Sequence, residues 1–159
     1  MRFSACRAGR RRNATTSPAF AGFAVVVDLA RELHHGEKRV LAIGIDPAAA
    51  DLSAFPELTP ELVRGYIDAK IERLRTLGYD VESCLVDLGD TAEAVAASAL
   101  ASKCFDCVVI GAGLREPPER LLLFEKILNL VHAFAGNASI CFNTTPADTA
   151  EAVQRWIKP

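Results

Sequence analysis

The sequence predicts an α/β fold built on a four-stranded parallel sheet with helices on both faces, and three observations carry that expectation. Short apolar runs of strand length alternate four times with longer stretches of helical periodicity between Lys38 and Trp156. The most apolar of these runs, Cys107-Val108-Val109-Ile110, is β-branched and stops at Gly111-Ala112-Gly113-Leu114-Arg115, as a buried central strand does where it delivers its end to a site. The chain has 159 residues, 50% of them hydrophobic, 7% aromatic and 24% charged, so one domain can bury its own core without a metal or disulfide.

Residues 1–17 are Arg, Ala, Ser and Thr without hydrophobic periodicity and are expected to be disordered. Over residues 18–35, Ser17 and Pro18 suit a cap and first position and Gly36 a terminator, which suggests an extra helix. Residues 1–36 therefore read as an N-terminal extension of a domain spanning 37–159. Residues 1–27 hold five arginines (Arg2, Arg7, Arg10, Arg11, Arg12) and no acid. Four readings compete: a signal peptide interrupted at Asp28, a mitochondrial presequence, a start assigned upstream of a domain that begins near Lys38, and a nucleic-acid patch. The other 13 of the 18 basic residues face all 20 acids, a balance of −7 that argues against nucleic acid as a partner. No run reaches the ~18 apolar residues of a membrane span. A cytoplasmic location follows, with organelle targeting through the Arg-rich N-terminus as the alternative.

Strands are predicted over 40–45, 81–86, 107–110 and 139–142, and helices over 60–77, 91–103, 117–135 and 146–157. Thr59 before Pro60, Asp90 with Glu93 three residues on, and Thr145 before Pro146 with Asp148 three residues on mark helix starts. Gly78 and Gly136 suit left-handed helix ends. The first helix repeats Leu62, Val63, Tyr66, Ile67, Ile71, Leu74 and Leu77 at helical spacing, a stripe that can lie on a sheet. Right-handed crossovers then give the strand order 2-1-3-4, with the second strand, the most polar through Glu82 and Ser83, at an edge. The fourth strand is left as an open edge, which predicts a homodimer or a cover from the N-terminal segment.

Of the five cysteines, Cys84, Cys107 and Cys141 lie in strand-like runs and read as buried thiols of a reducing compartment. Cys104 and Cys107 form a Cys-x-x-Cys, but between a helix end and a strand start rather than at a helix N-terminus, which disfavours redox or metal chemistry.

Ligands of such a sheet bind outside the carboxyl ends of the strands, at the reversal of strand order between the first and third. Asp46 ends a central strand, where a carboxylate serves a ligand, a cap or a metal, or is a turn residue ahead of Pro47. Asp46 and Asp87 are weak candidates for holding Mg²⁺, and Asp90 reads as a helix cap. Gly111 and Gly113 let backbone approach a ligand and Arg115 could meet an anion, against the alternative of a tight turn needing positive φ. Glu125, Asn129 and His132 form one polar line on the third helix. They read as a solvated face, with His132 as an outlying acid or base.

The alternation from Lys38 to Trp156 resembles the flavodoxin-like superfamily, which includes flavodoxins, receiver domains and cobalamin-binding domains. The resemblance implies a three-layer parallel sheet. It brings no ligand motif: one Asp46 stands where receivers carry an acidic pair, Gly111 where they carry the acceptor Asp, and Pro47-Ala48-Ala49-Ala50-Asp51 lacks both a hydroxyl-rich phosphate loop and a cobalamin-ligating His. The segments at Gly44, Asp87, Gly111 and Phe142 are most similar to small stand-alone bacterial proteins of uncharacterised function.

The expected site lies over the first and third strands. It comprises Asp46, Gly111, Ala112, Gly113, Arg115 and Asn143, covered by the loop over 47–58, with a helix beginning near Pro117 aiming its positive end at the crevice. Its guest is an anionic small molecule, and no cofactor is identified. Two functions fit: a binding or regulatory module, or a metal-assisted hydrolase or transferase acting on a phosphorylated or carboxylated metabolite.

Overall fold

The computed structural model describes residues 36–159, of which Lys38–Pro159 form one compact unit. The N-terminal extension and its expected helix lie outside the described residues. Four parallel strands, β1 (Lys38–Ile45), β2 (Tyr79–Val86), β3 (Cys107–Ile110) and β4 (Ser139–Phe142), pair in the order β2-β1-β3-β4. The register sets Lys38 beside Tyr79, Val40 beside Cys107, and Cys107 beside Ser139. This is the parallel α/β architecture that the alternation of runs predicts.

Helix α1 (Pro60–Thr76) follows β1 after a 3-10 turn at Pro47–Ala49, and Thr59 caps it by accepting from the Leu62 amide at 3.2 Å. It ends at Gly78, whose φ of 92° is the one positive value among the described residues. Helix α2 (Ala92–Ser102) links β2 to β3. Between β3 and β4 the predicted single helix is broken. One turn, α3 (Ala112–Arg115), is followed by a 3-10 turn (Pro118–Arg120) and then by α4 (Leu121–Phe134). Pro117 and Pro118 cause the break, because a residue before proline is pushed out of the helical region; Pro117 sits at ψ 122°. The helix aimed at the crevice from Pro117 is therefore not there. Gly136 does not take the left-handed conformation, since α4 closes at Ala135 through its amide on the Val131 carbonyl. After β4, Thr145 and Asp148 form the expected capping box on a 3-10 turn (Pro146–Asp148) leading into α5 (Thr149–Gln154).

Helices cover both faces of the sheet. Leu41, Ile43, Ile45, Cys84, Val86, Val108 and Ile110 meet Ala92, Ala96 and Leu100 of α2 and Ile127 and Val131 of α4. On the opposite face Val40, Val81, Cys107, Val109 and Cys141 meet Ile71 and Leu74 of α1 and Ala150, Ala152 and Val153 of α5. At the β4 edge the Arg155 guanidinium donates to the Phe142 carbonyl at 2.7 Å. An arginine on a four-residue edge strand is one way to blunt it against further pairing. No described helix is long and apolar enough to cross a membrane.

Candidate functional site

The side chains sent towards α1 and α5 shrink along β1, and those of β3 end on a glycine just past the strand. In β1 the series is Val40, Ala42, Gly44; after Cys107 and Val109, the β3 series closes at Gly111. Above them α1 buries Ile71 and Leu74 in its last turns but covers Val63 and Ile67 only partly, so its first half stands off the sheet. Small residues below and a raised helix above leave a cavity of about 250 Å³ at the carboxyl ends of the strands. Ala42, Gly44 and Val109 form its floor, Val63, Ile67, Lys70 and Ile71 its roof, and Gly111, Ala112, Gly113, Arg120 and Asn143 its mouth.

Asn143 shapes the mouth. It is 6% exposed; its Oδ1 accepts from the Ala112 amide at 2.9 Å and its Nδ2 donates to Thr149 Oγ1 at 2.8 Å. The Thr149 hydroxyl in turn donates to the Pro146 carbonyl at 2.8 Å. One buried amide side chain thus ties the first turn after β3 to α5, with its acceptor oxygen and a donor both in use.

The acids at the strand ends serve their own loops. Asp46 Oδ1 accepts from the Ala48 amide at 3.0 Å and pairs with Arg64 of α1. The Ala48 amide, helped by Arg64 and opposed by burial, holds the Asp46 carboxyl below the usual range. Asp87 accepts from the Gly89 amide at 3.2 Å and the Thr91 hydroxyl at 2.7 Å, so it organises the start of α2. The residue expected there, Asp90, is not the cap; the cap position is Thr91, whose hydroxyl donates to Asp87 and accepts from no amide of the helix. Asp148 accepts from the amides of Thr144 and Thr145, each at 3.0 Å. Burial works to raise its carboxyl, but those amides and the Thr144 hydroxyl outweigh burial and hold it low.

Of the residues read from the sequence as the site, Gly111, Ala112, Gly113 and Asn143 line the cavity, whereas Asp46 and Arg115 do not. Arg115 donates to the Asn143 carbonyl at 3.2 Å and to Glu116 at 3.1 Å, and lies over the Phe142 ring at 5.8 Å. The glycines are no positive-φ turn either: Gly111 has φ −67° and caps α3. The loop over 47–58 contributes Pro47 and Ala50 alone, and α1 is the main cover. His132, Glu125 and Asn129 are exposed on α4, the solvated face expected of them. Asp46 and Asp87 are engaged as described, and among the described residues no three His, Cys, Asp or Glu side chains come together as a metal site. Cys107 and Cys141 bring their Sγ atoms to 3.5 Å across neighbouring strands, both buried.

Two charged lining residues escaped the sequence reading, Lys70 and Arg120. Lys70 falls in the apolar stripe of α1, between Ile67 and Ile71, and that position was its signal. Arg120 had none, because its place depends on the break at Pro117. It crosses the mouth and donates from Nη1 to the Gly113 carbonyl at 2.6 Å. Comparison with known proteins finds no family model and no curated protein that matches the chain.

Proposed function

We propose that this protein is a binding module for a small anionic molecule, held in the cavity between α1 and the carboxyl ends of β1 and β3. The observation that carries this reading is the charge of the lining. Among the described residues Lys70 and Arg120 are its only charged side chains, both cationic, in a lining otherwise dominated by aliphatic groups and backbone. Neither is ion-paired among the described residues, although the acids of the chain outnumber its bases, 20 to 18. Lys70 rests its ammonium 4.7 Å from the Tyr66 ring centroid, and Arg120 spends one hydrogen bond on a backbone carbonyl. A partly enclosed site with apolar walls strengthens the attraction of such cations for an anion relative to water.

Native mass spectrometry of the purified protein, alongside the double variant Lys70→Gln/Arg120→Gln, tests the reading. The expected result is a co-purifying anion on the parent protein and its loss from the variant. Equal retention by both proteins, or a bound molecule without an acidic group, would overturn it.

A further inference from the structure

Resting on that reading, we infer that the guest is a monocarboxylate with a compact apolar body, seated with its carboxylate on Arg120, and that the site selects it over a phosphate. The argument starts from the backbone. Parallel α/β proteins that take phosphates offer them free amides at the loops after the strands. Here those loops have spent their amides internally. After β1, Pro47 has no N–H, Ala48 bonds the Asp46 side chain, Ala49 bonds the Asp46 carbonyl at 2.8 Å and Ala50 the Pro47 carbonyl at 3.2 Å.

At the mouth three of the four amides from Gly111 to Leu114 are spent in the same way. The Gly111 amide donates to the Ile43 carbonyl at 2.9 Å, Ala112 to Asn143 Oδ1 at 2.9 Å, and Leu114 to the Gly111 carbonyl at 3.0 Å. After β4, Thr144 and Thr145 are closed on Asp148, and Ala147 donates to the Thr145 hydroxyl at 3.2 Å. Among the amides from Gly111 to Leu114, Gly113 alone makes no hydrogen bond to the described residues, and one free amide is no cradle for the three oxygens of a phosphoryl group. Two ionised carboxylates, Asp46 and Asp148, also stand at this end of the sheet, where they disfavour a dianion more than a monoanion.

What the mouth does offer is one guanidinium. With Nη1 on the Gly113 carbonyl, Arg120 keeps Nη2 and Nε without a protein partner among the described residues. Two parallel N–H groups are the fork that a carboxylate meets bidentately. Behind the fork the walls are Ile45, Val63, Ile67 and Val109, and the space is about 250 Å³. An aliphatic cavity of about 150 Å³ already takes benzene, so this one has room for a ring or a branched chain with a carboxylate attached.

The test uses full-length protein and probes that vary the head group on similar bodies: benzoate, 3-methylbutanoate, phenyl phosphate, inorganic phosphate and benzyl alcohol. The readout is the titration of backbone amide NMR signals of Gly44, Gly111 and Gly113. The expected result is saturable shifts with benzoate and 3-methylbutanoate, at least tenfold weaker binding of benzyl alcohol and phenyl phosphate, no shift with inorganic phosphate, and at least a tenfold loss for benzoate in Arg120→Gln. If phenyl phosphate binds as tightly as benzoate, the carboxylate assignment is wrong while the anion-binding reading stands. If benzyl alcohol equals benzoate and Arg120→Gln changes nothing, charge plays no part and both ideas fall. Silence of all three glycines towards every probe sinks the cavity as a site for guests of this size.

Discussion

On the face towards α2 and α4, β1 presents Leu41, Ile43 and Ile45; on the face towards α1 and α5, the same strand presents Val40, Ala42 and Gly44. The helices differ in the same sense. Helices α2 and α4 lie against large side chains of β1 and β3, among them Ile43, Val108 and Ile110, all 2% exposed or less. Helix α1 seals only its second half, with Ile71 and Leu74, and leaves the cavity under its first. One eight-residue strand therefore builds a filled core on one side and an open cavity on the other, by alternating large with progressively smaller residues. The packed core and the cavity lie on opposite faces, and each can be perturbed separately.

The largest expected effect comes from hollowing the filled face. Ile110→Ala removes a fully buried side chain where neighbours cannot collapse freely and should cost about 2 to 5 kcal/mol, read from urea denaturation. Enlarging a residue on the other face should do the reverse. Ala42→Val fills cavity space and adds a β-branched residue to a central strand, so it should be neutral or stabilise by about 1 kcal/mol, while displacing any guest. If Ala42→Val costs as much as overpacking a native core, about 1 to 3 kcal/mol, then the two faces are equally full and the comparison breaks.

The halves of this contrast were unequally legible in the sequence. Strand positions and order could be read because runs such as Cys107 to Ile110 are short, apolar and β-branched, and right-handed crossovers leave few topologies. The same topology points to the carboxyl ends of β1 and β3, where the cavity lies. Its chemistry did not, because charged side chains at the crest were assigned by proximity in sequence. Arg115 looked like the anion's partner since it follows the glycines, yet one helical turn carries it over Phe142. Arg120 is five residues further on and is brought back by the 3-10 turn after Pro117. Asp46 is legible as a strand-end acid and also as a cap or turn residue ahead of Pro47, which is the role it takes, whereas the part of Asp87 in its own loop depends on hydrogen bonds two and four residues away and is not legible.

A second, smaller effect concerns the joint between the faces' loops. Asn143→Ala strips the Ala112 amide of its acceptor and Thr149 of a donor at a nearly closed position. A buried donor left unsatisfied costs about 1 to 3 kcal/mol. The loss should appear as a lower urea midpoint together with altered amide NMR signals at Gly111 and Gly113, the mouth it braces, and not at Ala96 or Leu100 of α2. Equal disturbance of α2 would mean that Asn143 supports the whole sheet rather than the cavity face.

The smallest effect is acid-dependent and should be confined to the same face. Three carboxyls held below their ordinary range bear on α1 and α5: Asp46 paired with Arg64, Asp148 on the amides of Thr144 and Thr145, and Glu151 bonded to Arg73 at 2.7 Å. For Glu151 its own backbone amide is the first cause and Arg73 the next. A group whose carboxyl titrates lower in the folded state than in the unfolded chain stabilises the fold at pH above its unfolded value. That contribution fades as the pH drops through the folded value. The ordinary values are 3.8 for the aspartates and 4.5 for the glutamate, so the contribution is complete at neutral pH and declines from about pH 4.5 downward. Amide hydrogen exchange, corrected for its intrinsic pH dependence, should then show α1 and α5 losing protection before α2 and α4 between about pH 4.5 and 3. Arg64→Gln should lower the protection of α1 already at neutral pH and so shrink its acid-dependent loss, since it unties α1 from the end of β1. Simultaneous loss across all four helices would instead mean that the cavity face has no separate hold on its helices, and that the taper of β1 alone opens the space.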